Sequence, residues 1–477
     1  MFVNNVNALM LFNAVYTIAF VCLIICVLSV EYSSDNSTLQ FVKNIMNLVL
    51  ELLCTFCALM AVCVAGQDFY YDERGKTYVI DPYGNRRYSG SETRYTPPPR
   101  PDRPKEEILN FAINLFRNVE NQGARENYVV APLSPQILLS FLANECSGDT
   151  KKQIVDATEY NNSKELEKLL NKMQGDGTKR ELKIGNAFFV NSKLQNSLKN
   201  SFDVVINKKP RNKRPIDGFA VDFNDIRGTK KTYNEWVNNQ THGALKDVQS
   251  DFDQNTELLL ASTVYFRGQW LFTFNSTQTS DFNLSPNETV QVDTMRIRKK
   301  FHSGTFDNIK ARWAAIPYNS TESMIVVMPK DGETLDNVIE KMTGYDIKDI
   351  VDVVIGYPTL NFVNITLPKF KLKTTVQLTE PLKKMGINDL FTQKSTLKVY
   401  DNGPTMKIGS ALQQSFLEVD ENGSVGASTT TFSAIALTVQ PETKHTDFIV
   451  NQPFAVFIVD RRYAVPYFMA KIYDPRK

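Results

Sequence analysis

Cysteine all but disappears from this chain after its first 63 residues. Cys22, Cys26, Cys54, Cys57 and Cys63 lie in apolar N-terminal segments and Cys146 stands alone beyond them, so no internal disulfide framework holds the remainder together. A chain of 477 residues can bury enough apolar surface without such staples, and Cys146 reads as a small buried hydrophobe. Histidine is rarer still. His242, His302 and His445 are the full set, and none stands in a metal-binding spacing such as H-E-x-x-H. No G-x-S-x-G elbow, phosphate-binding loop or G-x-G-x-x-G fingerprint follows a strand-like run, and no serine can be matched to a base. These absences argue against an enzyme and imply neither a metal nor a cofactor. Net charge is small as well: 54 basic against 52 acidic residues leave +2, which speaks against a nucleic-acid partner. One dense basic cluster, Lys208, Lys209, Arg211, Lys213 and Arg214, sits among Pro210 and Pro215. It reads as a solvated loop, with weak polyanion binding as the sharper alternative.

Two apolar stretches lie at the front. Residues 8–30 are long enough to span a bilayer. Residues 48–64 are followed by small Ala65 and Gly66 and then by polar Gln67 and Asp68, so residues 46–66, started from Met46, read as a secretory signal peptide. Residues 1–45 then form an upstream extension that the main product does not use; the competing reading makes them a signal anchor. Acceptor triplets N-x-S/T begin at Asn161, Asn239, Asn275, Asn283, Asn287, Asn319 and Asn364, which fits a secreted, extracellular glycoprotein. Residues 67–104 are rich in Tyr, Arg, Asp and Pro, end in TPPPRPDRP and show no hydrophobic periodicity. They predict a disordered tail. Residues 105–477 are left as one domain.

What the chain does have is a run of small residues near its end, residues 421–437, ENGSVGASTTTFSAIAL. After Glu421 this run carries no charge, and it contains no proline. Upstream, residues 415–419 (SFLEV) alternate like a strand; downstream, residues 448–459 (FIVNQPFAVFIV) read as a buried strand pair interrupted at Pro453. Too little sequence follows for a second domain, so a linker is the weaker reading. A long exposed loop inside a compact domain is usually functional. Thr429, Thr430 and Thr431 are β-branched and nothing forbids ladder hydrogen bonds, so this is a loop able to become a strand.

That arrangement resembles the hinge and reactive-centre loop of the serpins, and other segments resemble the family in order. Asn186-Ala187-Phe188-Phe189-Val190 is similar to the early NALFV strand. Val221-Asp222-Phe223, then Asn234, Trp236-Val237 and Thr241, fits VDF…N-x-W-V…T. Tyr265-Phe266-Arg267-Gly268-Gln269-Trp270 fits YFKG-x-W, with Phe274, Thr279 and Phe282 after it. Pro317-Tyr318, Ser323-Met324 and Pro329 fit PY…SM…P; Leu367-Pro368-Lys369-Phe370 fits LPKF, followed by Leu382, Gly386 and Phe391. Pro453-Phe454 and Phe468-Met469 close the chain as in the family. The resemblance covers residues 104–475 and implies an α+β serpin fold of three β-sheets with eight or nine helices and an exposed loop. The polar N-terminal extension is similar to those of arthropod members.

The resemblance also implies a mechanism and its residues. A serine protease attacks the bait bond and forms an acyl-enzyme; the freed half of the loop enters the main sheet as a new strand, and the distorted protease remains covalently bound. The inhibitor would be a monomer. Family register makes Glu421, Gly423, Ser424, Val425, Gly426, Ala427 and Ser428 the hinge, with Ser424, Gly426, Ser428, Thr430, Phe432 and Ala434 facing inward on insertion. The first three inward residues are small and uncharged, which favours an inhibitor over a non-inhibitory carrier, storage or binding relative. Counting on from Gly423 places the reactive bond at Leu437 and Thr438, suited to a chymotrypsin-like or elastase-like pocket. Lys444 is the trypsin-type alternative, but it would bring Pro441 into the inserted segment. A sheet gate is implied at Ala131, Ser134, Ser262, Gln413 and Trp270. There Ala131 replaces the family's serine, Ser262 its asparagine and Gln413 its histidine, and Glu145-Cys146 replaces Gly-Ala nearby. Gln413 has the donor and acceptor to bond Ser262 or Ser134. A membrane-anchored interaction protein is a third reading, resting on residues 8–30 alone.

Overall fold

The computed structural model describes residues 106–120, 125–159, 163–173, 180–192, 198–206, 216–246, 252–254, 256–330, 332–356, 361–401, 403–424 and 446–477, with three short strands ahead of them. Those strands, β1 (Phe69–Tyr71), β2 (Thr77–Ile80) and β3 (Arg86–Tyr88), pair in that order, β1 antiparallel to β2. The composition predicts no regular structure here, and over these residues that expectation is corrected. Aromatic and β-branched residues favour extended backbone; FYY paired with TYVI supplies enough of them locally, while the surrounding Arg and Pro mask the signal. Residues 8–30 and 48–64 lie outside the described residues. Among those described, no helix is long and apolar enough to cross a membrane.

The body opens with α1 (Glu106–Glu120). Its first-turn acids, Glu106 and Glu107, complement the positive end of the helix dipole, and Leu109, Ala112, Ile113 and Phe116 recur at helical spacing as its buried face. Strand β4 (Tyr128–Val130) leads into α2 (Leu133–Glu145), apolar nearly all round and correspondingly sunk in the core. Cys146 follows it, buried, its thiol pushed up to about 12 by burial, so it behaves as the hydrophobe its surroundings suggest. Next come α3 (Gly148–Thr158), α4 (Ser163–Met173), β5 (Arg180–Asn191), α5 (Asn200–Ile206), β6 (Asp217–Val221), α6 (Ile226–Gln240) and β7 (Leu258–Gln269). Helix α6 begins at Asp225 because that carboxylate accepts from the Gly228 amide and satisfies an otherwise unpaired donor. The chain continues through β8 (Ser276–Ser285), β9 (Glu288–Phe306), β10 (Ala311–Pro317), β11 (Glu322–Pro329), α7 (Leu335–Lys341), α8 (Gly344–Gly356), β12 (Asn361–Pro368), β13 (Phe370–Gln377) and α9 (Thr379–Lys384). It ends with β14 (Ser410–Val419), β15 (Gly423–Ser424), β16 (Thr446–Ile449), β17 (Phe454–Asp460) and β18 (Val465–Ile472).

The body is the α+β arrangement expected, with nine α-helices among the described residues and three sheets. One has six strands in the order β13-β14-β15-β7-β5-β6. The other two share β9: its first part pairs with β8 and β12, and β12 carries β16, while its last residues pair with β10 and continue through β11, β17, β18 and β4. The six-stranded sheet is covered on both faces. Helix α2 packs against β5 and β7 within the main core, and α6 covers the opposite face, setting its own Tyr233 and Trp236 in one cluster with Phe189, Leu259 and Phe416 of the sheet. Strands β7 and β14 pair in parallel at its centre and are buried on both faces almost throughout, which suits the apolar run opening β7 and encloses the polar Ser262, Thr263, Gln413, Gln414 and Ser415 as well.

Candidate functional site: hinge and gate of the central sheet

The candidate site begins where β14 ends. Asp420 accepts hydrogen bonds on Oδ1 from the amides of Asn422 (2.8 Å) and Gly423 (3.1 Å), and its own amide donates to the Gly423 carbonyl at 3.0 Å. An aspartate side chain bonded to amides ahead of it is a turn-forming device, and here it reverses the chain within three residues. Gly423 and Ser424 then form β15 between β14 and β7, with Ser424 opposite Val419 on one side and Gly268 on the other. Gly423 is required for contact reasons. A Cβ there would lie 2.0 Å from the Gly268 carbonyl oxygen.

Trp270 fixes this turn from outside. Its amide donates to the Asn422 carbonyl at 2.9 Å and its indole Nε1 to the Asp420 carbonyl at 2.8 Å, while its ring stacks on Tyr318 with centroids 4.4 Å apart. Tyr318 in turn meets Ser424: the two hydroxyls lie 2.6 Å apart and both side chains are fully buried. Burial pushes the Tyr318 phenol far above its ordinary range, so it is a neutral hydrogen-bonding partner. Glu421 projects the other way. Burial opposes its ionisation, but hydrogen bonds from Thr277 and from Lys369 Nζ (3.2 Å) outweigh that and hold its carboxyl below the usual value.

Two of the residues read from sequence as a gate lie further down the same pair of strands. Gln413 on β14 stands opposite Ser262 on β7 and is fully buried. Its Oε1 accepts from the Ala131 amide at 2.7 Å, and its Nε2 donates both to the Ala131 carbonyl and to Ser262 Oγ, each at 3.0 Å. One amide thus ties β14 to β7 and to the backbone entering α2. Of the two partners expected for it, Ser262 is used and Ser134 is not; Ser134 Oγ instead bonds Asn186 Oδ1 at 2.5 Å. Trp270 stands apart from this group, at the hinge. Six positions along each strand separate the partners of Ser424, Gly268 and Val419, from the gate pair Ser262 and Gln413. Between them Ser415 is buried on β14, its hydroxyl without a hydrogen-bond partner.

Several of the residues read from sequence lie outside the described residues: Val425, Gly426, Ala427 and Ser428 of the hinge, Leu437 and Thr438 of the reactive bond, Lys444, and the basic cluster from Lys208 to Arg214. Others were missed. Asp420 had a legible signal, the Asp-x-x-Gly spacing of a turn. Tyr318 appeared only as part of a motif, and nothing local tells that its hydroxyl reaches Ser424, 106 residues away.

Residues 106–475 match the family model described as Serpin (serine protease inhibitor). Among curated proteins, the chain is 26% identical over 378 residues to alpha-1-antiproteinase 2 of Equus caballus, covering 77% of this chain and 86% of that protein. It is 27% identical over 384 residues to serine protease inhibitor A6 of Xenopus laevis, covering 78% and 83%. Among solved structures, a thyroxine-binding globulin complex with thyroxine superposes with a TM-score of 0.67 at 22% identity, over 78% of this chain and 99% of that one. Serpin-12 of Manduca sexta gives 0.66 at 25% identity, over 78% and 99%. The match spans well over half of the chain and the sheet, hinge and gate lie within it: this protein belongs to the serpin family.

Proposed function

We propose that this protein is a secreted suicide inhibitor of serine proteases with chymotrypsin-like or elastase-like specificity, its bait bond lying between Leu437 and Thr438. What supports this reading is the hinge: Gly423 and Ser424 already occupy the space between β7 and β14, in register with both. Continuing that register, the small Gly426 would come between Phe266 and Leu417. Ser428 would come beside Ser415 and offer its unpartnered hydroxyl a hydrogen bond. Thr430 would arrive at Gln413 and Ser262, so the gate must open for insertion to pass its midpoint. Each added residue gains ladder bonds worth roughly 0.5–1.5 kcal/mol apiece, and the uninserted state is held by kinetics rather than by being lowest in free energy.

Incubation with chymotrypsin, elastase and trypsin tests the proposal. We expect a denaturant-resistant covalent adduct with one of the first two. Ser424→Arg should abolish it and turn the protein into a substrate, because a guanidinium would have to be buried unpaired where Ser424 is fully enclosed. Cleavage of the wild type without any adduct would favour the second reading, a non-inhibitory carrier. The like-folded thyroxine-binding globulin is solved in complex with thyroxine, which keeps that reading open for this fold.

A further inference from the structure

We infer that the outer face of the sheet formed by β9, β12 and β16 docks an acidic patch on the target protease, through Arg296, Arg298 and Lys300; this rests on the inhibitory reading above. The three residues alternate along β9 and therefore project from one face, over about 13 Å. Arg296 and Arg298 are exposed, and among the described residues neither has an ion-pair partner. Lys300 Nζ lies 5.3 Å from the ring centre of Phe362, its neighbour across β12. Asn364 stands opposite Arg298, and its amide donates to Asp447 Oδ1 of β16 at 3.1 Å. Asp447 is the acid that this register brings to the face, and it is separated from Arg298 by the Asn364 strand.

The position of the row says what would cover it. Strand β16 runs two strands from β9, about 10 Å away, and Thr446 is the first described residue after the bait segment. The bond between Leu437 and Thr438 lies eight residues before Thr446, hence within about 27 Å of it even when the chain is fully extended. A protease domain of about 200 residues is about 40 Å across. Seated on that bond, it overhangs the row. The whole chain carries only +2, so this concentration of cations is local, and charge complementarity selects a protease with carboxylates beside its cleft. Such a surface acts on the rate of encounter more than on the adduct once formed.

The test is the second-order rate of adduct formation with a chymotrypsin-like protease whose cleft rim is acidic, measured at low and high ionic strength. Arg296→Glu/Arg298→Glu is compared with wild type, and Arg296→Ala/Arg298→Ala serves as the milder change. At low salt the Glu pair should slow association about tenfold and the Ala pair by less. The difference should vanish at high salt, with stoichiometry and melting temperature unchanged and no effect on a protease lacking the acidic rim. Equal rates for all three proteins at low salt would overturn the inference. So would full glycan occupancy of Asn364, which would cover the row. A sulfated polysaccharide that accelerates wild type but not the variants would assign the row to a polyanion instead. Failure of the wild type to form an adduct with any protease sinks the inhibitory reading itself, and is seen before any variant is compared.

Discussion

Gln413 concentrates more of the sheet's cohesion than its size suggests, because three hydrogen bonds from one amide join β14, β7 and the chain entering α2. Gln413→Ala strands Ser262 Oγ and both backbone groups of Ala131 in the core, where an unpaired polar group costs about 1–3 kcal/mol. Conversion to latent or polymeric forms on warming should therefore accelerate in this variant, followed by native gel electrophoresis over time; an unchanged rate would remove Gln413 from the gate. The amide does not titrate, so acid sensitivity must arise elsewhere. His302 is the place to look. Burial, and secondarily the charge of Arg461, depress its imidazole to about 4. The unfolded chain takes up that proton near pH 6.5 and the native state only near 4, so the native state binds fewer protons between those values. Stability is then fully present above pH 6.5 and declines as pH falls toward 4. The apparent melting temperature should follow that decline in wild type and flatten in His302→Gln; parallel curves would exclude His302. At this scale the sequence is a partial guide. Ser262 was one of two partners the sequence offered Gln413, Ser134 being the other, and side-chain chemistry alone could not choose between them, whereas the contribution of Ala131 is made by its backbone, which no side-chain reading reveals.

The hinge is the element on which the proposal turns, and it was legible as far as its composition spoke. Small residues after Glu421 marked a segment able to enter a sheet. That its first two residues are already inserted was not legible, since this depends on Asp420 closing the turn and on Trp270 and Tyr318 receiving it from elements far away in sequence. Asp420→Ala removes the acceptor for two amides, a loss of about 1–3 kcal/mol if they stay unpaired. The turn should loosen, and limited proteolysis near residues 421–424 should become faster than in wild type; equal cleavage would mean that Trp270 alone holds the turn. The small sheet of β1, β2 and β3 shows the opposite failure. Its strands have three or four residues each, shorter than the window in which a period of two stands out, so composition dominated and pointed to disorder.

For the whole molecule, the proposed mechanism makes the intact state the less stable one. Cleavage of the bait bond should raise the melting temperature markedly as the sheet gains a strand, and calorimetry before and after proteolysis would show it; no rise would place the protein among the carriers. Mass spectrometry of the released C-terminal peptide should find Thr438 at its start, whereas His445 there would identify Lys444 as the bait. Fold class was the most legible property, because motifs spread from Asn186 to Met469 each report a piece of one architecture. Target identity was the least, since the pocket that would read the proposed bait residue belongs to another protein.

Strand β7 also acts as a ruler. Ser424 sits opposite Gly268, and the first residue of β7, Leu258, lies ten positions further down. On the proposed mechanism an entering chain runs out of partners at position 434. A bait at Leu437 falls three residues past that end, so its protease would come to rest against the far rim of the sheet with almost no slack. A bait at Lys444 would leave ten residues of tether, and a protease on so long a leash feels little pull. The length of one strand, fixed by folding, would thus decide which bonds in the loop can trap an enzyme and which can only be cut.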